Sequence, residues 1–196
     1  MLIADGFTET ARADAAVAAV RGGVRWVHLR DHAARGDAFA SLARPLVERL
    51  RAGASGVRIS VNTRAEVAGT LGLDVHVGTR GPSVAEARAR VPGAVVGYSA
   101  HTIAEVQRAA SDGAAYVFFS PIFPTSSKPG HIGVGLDALQ AVCEAVEVPV
   151  YALGGVTPAT APACLDAGAH GIAVLSGILD AADPVATAHA YLLVLP

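Results

Sequence analysis

Apolar and polar positions follow one repeated order along the chain: an alanine-rich amphipathic stretch, then a short β-branched run. Four of these transitions are RGGVRWVHLR from Arg21, LGLDVHVG from Leu71, DGAAYVFFS from Asp112 and AGAHGIAVLS from Ala167. Each places glycine where a helix ends and an apolar strand two or three residues later. Helix followed by strand, repeated in this way, predicts parallel strands joined by crossover helices.

This pattern predicts eight strands and eight helices. The predicted strands cover residues 2–5, 24–30, 57–61, 74–77, 94–99, 115–120, 148–153 and 171–175. The predicted helices cover residues 8–21, 37–51, 64–71, 83–90, 102–111, 136–146, 158–167 and 183–193, which are rich in strong helix formers. Eight strands alternating with eight helices predict an α/β protein with the (β/α)₈ TIM-barrel fold, a single domain over residues 1–196. An open, doubly wound sheet is the structural alternative.

Two strand-to-loop breaks near the end of the chain indicate a binding site. The segments are YALGGVTP (residues 151–158) and IAVLSGIL (residues 172–179), which break at Gly154–Gly155 and at Ser176–Gly177. Glycines let backbone N–H groups approach an anion, and a helix starting at the second break would direct its N-terminal end towards it. Such a pair resembles the phosphate-binding corner after strands 7 and 8 of a TIM barrel.

The amino-acid composition limits the kinds of molecule that the protein is expected to bind. Hydrophobic residues make up 52% of the chain and charged residues 16%, so nearly every element has a buried face. A net charge of −2 and the lack of a basic run argue against binding to nucleic acids or to anionic membranes. No apolar run is long enough to span a membrane and no leader pattern is present, which favours a cytoplasmic protein. Cys143 and Cys164 lie in predicted helices, far apart in sequence, and are interpreted as buried thiols rather than as a disulfide or a zinc site.

Two predicted loops are longer than the others, and both follow strands. Residues 30–37 follow strand 2, and residues 120–135, rich in Pro, Ser, Thr and Gly, follow strand 6. Because active sites of barrels lie at the C-terminal ends of strands, the second loop is predicted to be a mobile flap over a charged ligand. The polar residues at these strand ends form one group: His28, Arg30, Asp31, Asn62, His76, Ser99, His101, Thr125, Ser126 and Lys128, together with the glycine and serine breaks.

Three of these residues have two readings each. His101 follows strand 5 directly and either transfers a proton near neutral pH or flanks a helix without chemistry. Lys128 either closes on a phosphate or is a solvated loop residue. Asn62 either binds ligand or ties two loops together.

The charged and imidazole side chains of the predicted strands need partners. A guanidinium at Arg30, on an apolar strand, requires an anion, which is Asp31, Asp5 or a ligand. His28 and His76 are interpreted as core histidines that are satisfied by neighbours, and this reading is favoured for His76.

Seven segments resemble a known family in order and in spacing. They are HLRDH, SVNTRAEVA, VHVG, GYSAHTIAEV, YVFFSPIFPTSSKPG, YALGGVTP and GIAVLSGI. Together they are similar to the thiamine-phosphate synthase/TenI superfamily over essentially the whole chain. PIFPTSSK in combination with LGGVTP and VLSG is the most specific part of the resemblance.

The synthase branch of that superfamily joins an aminopyrimidine diphosphate to a thiazole phosphate with Mg²⁺, which aspartates after strands 3 and 4 hold. Here Asn62 is followed by Thr63, and the loop after strand 4 reads VGTRGP, with Arg80 and Gly81 and no carboxylate. After strand 2 only Arg30 of the family's glutamine, arginine and lysine is kept. Since Mg²⁺ prefers carboxylate oxygens, these departures weigh against the synthase reading.

The TenI-like thiazole tautomerases resemble this chain better at those positions, because they lack the metal aspartates. Their resemblance implies an isomerase of thiamine biosynthesis that aromatises a thiazole carboxylate phosphate, with His101 moving the proton and no metal or other cofactor. The predicted function is therefore a metal-independent thiazole tautomerase acting on a small-molecule thiazole phosphate. The PTSSK segment is synthase-like, so thiamine-phosphate synthase is one alternative, and a non-catalytic thiazole or thiamine phosphate-binding protein is another.

The predicted site follows from this resemblance. The phosphate is expected to bind at the two breaks. The flap, residues 125–130, is expected to close the pocket. Apolar helix surface favours a homodimer. His101 is the predicted catalytic residue, and the predicted ligand contacts are Arg30, Asn62, Ser99, Thr125, Lys128, Gly154, Gly155, Ser176 and Gly177.

Overall fold

Eight parallel strands form one sheet in sequential order, β1 to β8, in a computed structural model that describes residues 1–34, 37–127 and 130–195. A bridge between Leu2 and Val174 joins β1 to the end of β8, with a 2.8 Å hydrogen bond from Ile3 N to the Val174 carbonyl, and so closes the barrel. The strands are β1 (Leu2–Asp5), β2 (Trp26–Arg30), β3 (Arg58–Asn62), β4 (Asp74–Gly78), β5 (Val96–Ala100), β6 (Tyr116–Phe119), β7 (Val150–Leu153) and β8 (Gly171–Ala173).

Helices cover the outside of the barrel. In the described residues they are α1 (Thr10–Arg21), α2 (Asp37–Gly53), α3 (Ala65–Leu71), α4 (Val84–Arg90), α5 (Ile103–Ser111), α6 (Gly135–Glu144), α7 (Ala161–Asp166), α8 (Ser176–Leu179) and α9 (Pro184–Leu192). The short α8 begins at the second strand-to-loop break and is additional to the eight predicted helices. The predicted (β/α)₈ barrel is confirmed, and the closing bridge excludes the open sheet.

Most observed elements begin or end within a few residues of their predicted positions. The start of α7 differs from its predicted position: the helix was predicted from residue 158 and begins at Ala161. Thr157 and Thr160 form a reciprocal turn, in which the Thr157 amide donates to Thr160 Oγ1 at 2.9 Å and the Thr160 amide donates to Thr157 Oγ1 at 3.3 Å. Because these hydroxyls satisfy the backbone in a non-helical turn, the helix starts after them.

Strand alternation divides the core into two parts. One set of strand side chains packs under the helices in a continuous aliphatic layer. The other set fills the barrel, where Ile3, Tyr116, Phe118 and Ala173 form a separate buried cluster with Trp26 packed against it. Ile3 and Ala173 of this interior cluster also line the cavity at the carboxyl ends of the strands.

Two histidines lie inside the barrel and are hydrogen-bonded there. His28 Nδ1 lies 3.0 Å from Ser60 Oγ, and His76 lies between the hydroxyls of Tyr116, at 3.1 Å from Nδ1, and Ser99, at 2.7 Å from Nε2. The two imidazole rings contact each other edge to face with centroids 5.0 Å apart. Both residues are therefore satisfied core histidines, which is the reading that was favoured for His76.

Burial keeps both imidazoles neutral. It lowers the pKa of His28 from 6.5 to about 3, and the charge of Arg30 adds to this shift. Burial also lowers the pKa of His76 well below its usual value, with the neighbouring His28 and Arg30 contributing. Below the pKa of the unfolded chain, protons therefore bind the unfolded state in preference to the folded state.

We expect the free energy of unfolding to fall as the pH drops below 6.5, the ordinary pKa of histidine. Each buried histidine adds a slope of about 1.4 kcal/mol per pH unit, because only the unfolded form takes up its proton in this range. Urea unfolding between neutral pH and about pH 5 measures the slope. His28→Gln should flatten it, whereas His189→Gln, at an exposed position of α9, should leave it unchanged. Equal slopes in all three proteins would contradict the assignment.

Three further predictions concern membrane spans, the two cysteines, and the oligomeric state and location of the protein. No helix in the described part of the chain is both long and apolar enough to cross a membrane. Cys164 is buried and Cys143 is half-buried, both are free thiols, and burial raises the pKa of each to about 11. The predicted homodimer and cytoplasmic location stay predictions.

Candidate functional site

A cavity of about 660 Å³ opens at the carboxyl ends of the strands. The loops after β2, β3, β4, β5, β6, β7 and β8 all contribute to its wall, and Ile3 and Ala173 of the barrel interior lie at its floor. This is the end of a (β/α)₈ barrel where enzymes build their active sites. The cavity is therefore the candidate functional site.

The two strand-to-loop breaks lie side by side on one wall of this cavity. Gly154 and Gly155 both have positive φ angles, +95° and +67°, which glycine adopts without strain. Tyr191 of α9 joins the two loops: its hydroxyl donates to the Val156 carbonyl at 2.9 Å. A Cβ at Gly177 would lie 2.5 Å from the same hydroxyl. Tyr191 thus sets the spacing of the two breaks.

The loop after β6 is fixed to the first break at its base. The Phe123 amide donates to the Gly154 carbonyl at 3.0 Å, and the Ile122 amide donates to the Leu153 carbonyl at 2.9 Å. Residues 125–127 continue from this base and line the cavity. The loop therefore reaches the wall that holds the two breaks, while the predicted Lys128 lies outside the described residues.

His101 lies on the cavity wall immediately after β5. Its Nδ1 donates to the Ser120 carbonyl at 2.6 Å, and its amide donates to Glu105 Oε2 at 2.6 Å. The bond to the carbonyl requires a proton on Nδ1, so in the neutral ring Nε2 is the basic nitrogen. Glu105 also completes a capping box with Thr102 at the start of α5, which fixes the backbone of this loop.

The Arg30 guanidinium also reaches the cavity, and its anion is Asp5. Arg30 Nε lies 2.8 Å from Asp5 Oδ1, and the second contact, from Arg30 NH2 to Asp5 Oδ2, is 3.0 Å. This two-point ion pair joins the ends of β1 and β2, which are neighbours in the sheet. Of the three predicted partners for Arg30, the structure selects Asp5.

Asn62 and Ser99 connect the cavity to the polar interior below it. Both line the cavity. The Asn62 side chain hydrogen-bonds His28, and Ser99 Oγ bonds His76 Nε2. Each side chain is thereby oriented from below by a buried histidine, and sequence patterns alone did not predict these contacts.

Thr63, at the rim of the cavity, has an unusual backbone conformation. Its φ is +57°, a conformation that β-branched residues rarely adopt. The Thr63 amide donates to the His76 carbonyl at 2.8 Å, and its hydroxyl donates to the Asn62 carbonyl at 2.8 Å. These bonds hold the residue in place, and strain of this kind concentrates at functional sites.

The structure brings nearly all predicted site residues to one cavity. The predicted residues on its wall are Arg30, Asn62, Ser99, His101, Thr125, Gly154, Gly155, Ser176 and Gly177. The sequence pattern does not indicate Tyr191, which lies more than ten residues beyond the second break and has only a helical context in the sequence. It also assigns no role to His32, although this residue also reaches the wall.

Carboxylates are missing from the described wall of the cavity. The acidic side chains of the first two strand ends are already engaged: Asp5 by Arg30, and Asp31 by the Thr8 hydroxyl at 2.6 Å and by the amides of residues 33 and 34. Burial raises the pKa of Asp31, but these hydrogen bonds outweigh it and lower the pKa below its usual value.

A divalent cation does not fit this donor set. Mg²⁺ takes one or two carboxylates together with substrate phosphates, and among the described residues no group of three or more His, Cys, Asp or Glu side chains could hold a metal ion. The wall instead carries the guanidinium group of Arg80, which repels a cation, and that of Arg30, which is already paired with Asp5.

Fold and cavity together define a (β/α)₈ barrel with its site at the carboxyl ends of the strands. The sequence profile of the family described as thiamine monophosphate synthase, TMP-TENI, matches residues 1–178. The chain belongs to this family.

Individual relatives support the same family assignment. The chain is 39% identical to a thiamine-phosphate synthase of Roseiflexus castenholzii over 176 residues, which are 88% of this chain and 76% of that protein. It is also 39% identical to a thiamine-phosphate synthase of Methanocella arvoryzae over 173 residues, 87% of this chain and 81% of the relative. The fold is similar to that of a thiamine phosphate pyrophosphorylase from Pyrococcus furiosus, with a TM-score of 0.87, 23% identity and coverage of 98% and 93% of the two chains.

These comparisons correct the predicted activity. The thiazole tautomerase, and with it the isomerase class, is wrong, because relatives that match most of the chain are named thiamine-phosphate synthase. The prediction relied on a few positions after β3 and β4, whereas the similarity to synthases extends over both the barrel and its loops. The recognised family itself is confirmed.

Proposed function

We propose that this protein is a transferase of the thiamine-phosphate synthase type, which joins an aminopyrimidine diphosphate to a thiazole phosphate. The observation that carries the proposal is the identity to synthases along almost nine-tenths of the chain. The reaction forms a bond to the thiazole and releases diphosphate, so the site must accept two anionic groups at once. A cavity of about 660 Å³ is large enough for two small molecules.

In this proposal the wall formed by the two breaks binds the thiazole phosphate. Glycine at residues 154 and 155 leaves backbone groups accessible, and Ser176 offers a hydroxyl donor beside Gly177 at the start of α8. Phosphate oxygens accept hydrogen bonds from such groups, and no cationic side chain is needed. This assignment keeps the predicted phosphate contacts and changes only the reaction that they serve.

His101 contacts the reacting molecules in the same proposal. The Ser120 carbonyl fixes its ring through Nδ1, so its basic Nε2 can accept a hydrogen bond from the amino group of the pyrimidine. Asn62 and Ser99 are held by buried histidines and supply polar contacts of fixed direction. Orientation of two reactants in one site is itself a large part of the rate enhancement for a bimolecular reaction.

The test is formation of thiamine phosphate by purified protein from the two substrates, followed by chromatography with and without a chelator. We expect product in both conditions and about a 10²-fold lower kcat for His101→Ala. His189→Ala, on the exposed face of α9, is the matched control and should keep full activity. Product formation that is unaffected by His101→Ala would remove that residue from the site.

A second candidate is a non-catalytic protein that binds thiazole or thiamine phosphate. The carboxylate-free wall favours it, since the anionic groups can be bound there without the metal chemistry that the family uses. Calorimetry with thiazole phosphate and with thiamine phosphate distinguishes the two candidates. Tight binding of both ligands by a protein that forms no product would establish the binding protein.

A further inference from the structure

The wall of the cavity over β3 and β4 differs from the wall over β7 and β8. The strands follow each other around the barrel in numerical order, so these two pairs lie on opposite sides. The β7–β8 wall offers glycine and serine, and the β3–β4 wall offers Thr63, Thr79 and Arg80. A cationic wall therefore faces the wall of small residues across the cavity.

Arg80 is the side chain that gives this wall its charge. It is exposed at the cavity and has no ion pair with any residue in the described part of the chain. Arg30, the other guanidinium on the wall, is neutralised by its two-point contact with Asp5. Among the described residues, the positive charge that is available to a ligand on this side thus comes from Arg80.

The turn around Arg80 places Gly81 close to the Thr63 side chain. The Gly81 amide donates to the Gly78 carbonyl at 2.9 Å and closes a tight turn that holds Arg80 at its tip. A Cβ at Gly81 would lie 2.7 Å from the methyl carbon Cγ2 of Thr63. Since the hydroxyl of Thr63 is bound to the Asn62 carbonyl, the methyl group is fixed against Gly81. A side chain at residue 81 would therefore have to displace the Thr63 methyl group.

We propose that the β3–β4 wall is an anion subsite that works without a divalent cation, in which the Arg80 guanidinium binds the diphosphate group of the second substrate. A planar guanidinium forms paired, charge-assisted hydrogen bonds with phosphate oxygens. The diphosphate lies opposite the thiazole phosphate, and Arg80 offsets part of its negative charge when it leaves. The identity of this ligand rests on the proposed function, while the anion subsite itself rests on the charge and contacts of the wall.

Calorimetry with inorganic pyrophosphate in a chelating buffer tests the subsite directly. We expect the wild-type protein to bind pyrophosphate without Mg²⁺, and Arg80→Gln to weaken this binding ten- to hundredfold, which is the effect of losing charge-assisted hydrogen bonds. Arg80→Lys should retain part of the affinity. Arg90→Gln, at an exposed residue of α4 away from the cavity, is the matched control and should bind like the wild type.

Two results overturn the proposal: pyrophosphate binding that requires Mg²⁺, or binding that Arg80→Gln leaves unchanged. The assay of thiamine phosphate formation separates this failure from failure of the proposed function. Product without any dependence on Arg80 would sustain the function and remove the subsite. Metal-free pyrophosphate binding that depends on Arg80, in a protein that forms no product, would sustain the subsite and remove the function.

Discussion

Ser176→Asp is expected to lower kcat/KM for the thiazole phosphate by about 10³-fold. A carboxylate about 4 Å from a phosphate in a partly shielded site costs about 4 kcal/mol of binding free energy. Ser176→Ala removes only a hydroxyl donor, so its loss should be about ten- to hundredfold. Steady-state kinetics with the thiazole phosphate varied, at saturating pyrimidine diphosphate, measures both values.

The design separates electrostatic repulsion from damage to the fold. An acidic residue at the first position of a helix is compatible with the helix dipole, so Ser176→Asp should keep the thermal stability of the parent. Ser55→Asp introduces the same charge in an exposed loop before β3, at the other end of the barrel, and should have no kinetic effect. Similar kcat/KM values for Ser176→Asp and Ser176→Ala would place the phosphate elsewhere.

Gly97→Ala should lower the free energy of unfolding by about 3 kcal/mol or more, near the upper end of the range for overpacked cores. A Cβ at this position of β5 would lie 2.5 Å from Cε1 and from Cε2 of Tyr116, whose hydroxyl is bonded to His76. The ring cannot move aside without losing this buried hydrogen bond. Urea unfolding followed by circular dichroism measures the change.

Matched variants test whether the Tyr116 ring causes the loss of stability in Gly97→Ala. Gly69→Ala in α3 adds the same methyl group where no atom lies within 4 Å, and we expect it to be neutral or stabilising, since alanine is the better helix former. Tyr116→Leu should suppress part of the cost of Gly97→Ala in a double-mutant cycle, whereas Tyr116→Phe, which keeps the ring, should not. Full additivity of Gly97→Ala with Tyr116→Leu would mean that the two residues do not conflict.

Local patterns predicted the barrel because each element carries its own signal. A glycine that ends a helix and a β-branched run that follows it are properties of neighbouring residues, and they recur in order along the chain. The site residues at strand ends were found for the same reason: once the strands are parallel, their carboxyl ends must meet. This is why the residues from Arg30 to Gly177 were placed on one rim before any contact was known.

Contacts between distant residues set the limits of this approach. Nothing near Tyr191 in the sequence indicates that its hydroxyl bonds the Val156 carbonyl and lies close to Gly177. The choice of Asp5 over Asp31 as the partner of Arg30 depends on which strands are neighbours and on how Thr8 and two amides occupy Asp31. Such choices are decided by three-dimensional distance, which sequence spacing does not encode.

The activity was the weakest part of the prediction, because it rested on residues that were absent. Thr63 in place of an aspartate, and the absence of a carboxylate in the loop that contains Gly81, were interpreted as evidence against the synthase reaction. The relatives overturned the resulting tautomerase prediction, while the structure gave these residues a definite packing role, with the Thr63 methyl fixed against Gly81. A missing metal-binding residue in a motif indicates that the reaction is assisted differently. It does not identify the reaction.

The sequence by itself determined the family, the eightfold alternation of strand and helix, and the rim on which the polar residues meet. Those features follow from periodicity and from residue types that act over a few neighbouring positions. Only the tertiary structure decided that His28 and His76 are neutral, that Arg30 is neutralised by Asp5 and that Arg80 faces the cavity without an ion pair among the described residues. Charge state depends on burial and on the distance to other charges, and the folded chain alone fixes both.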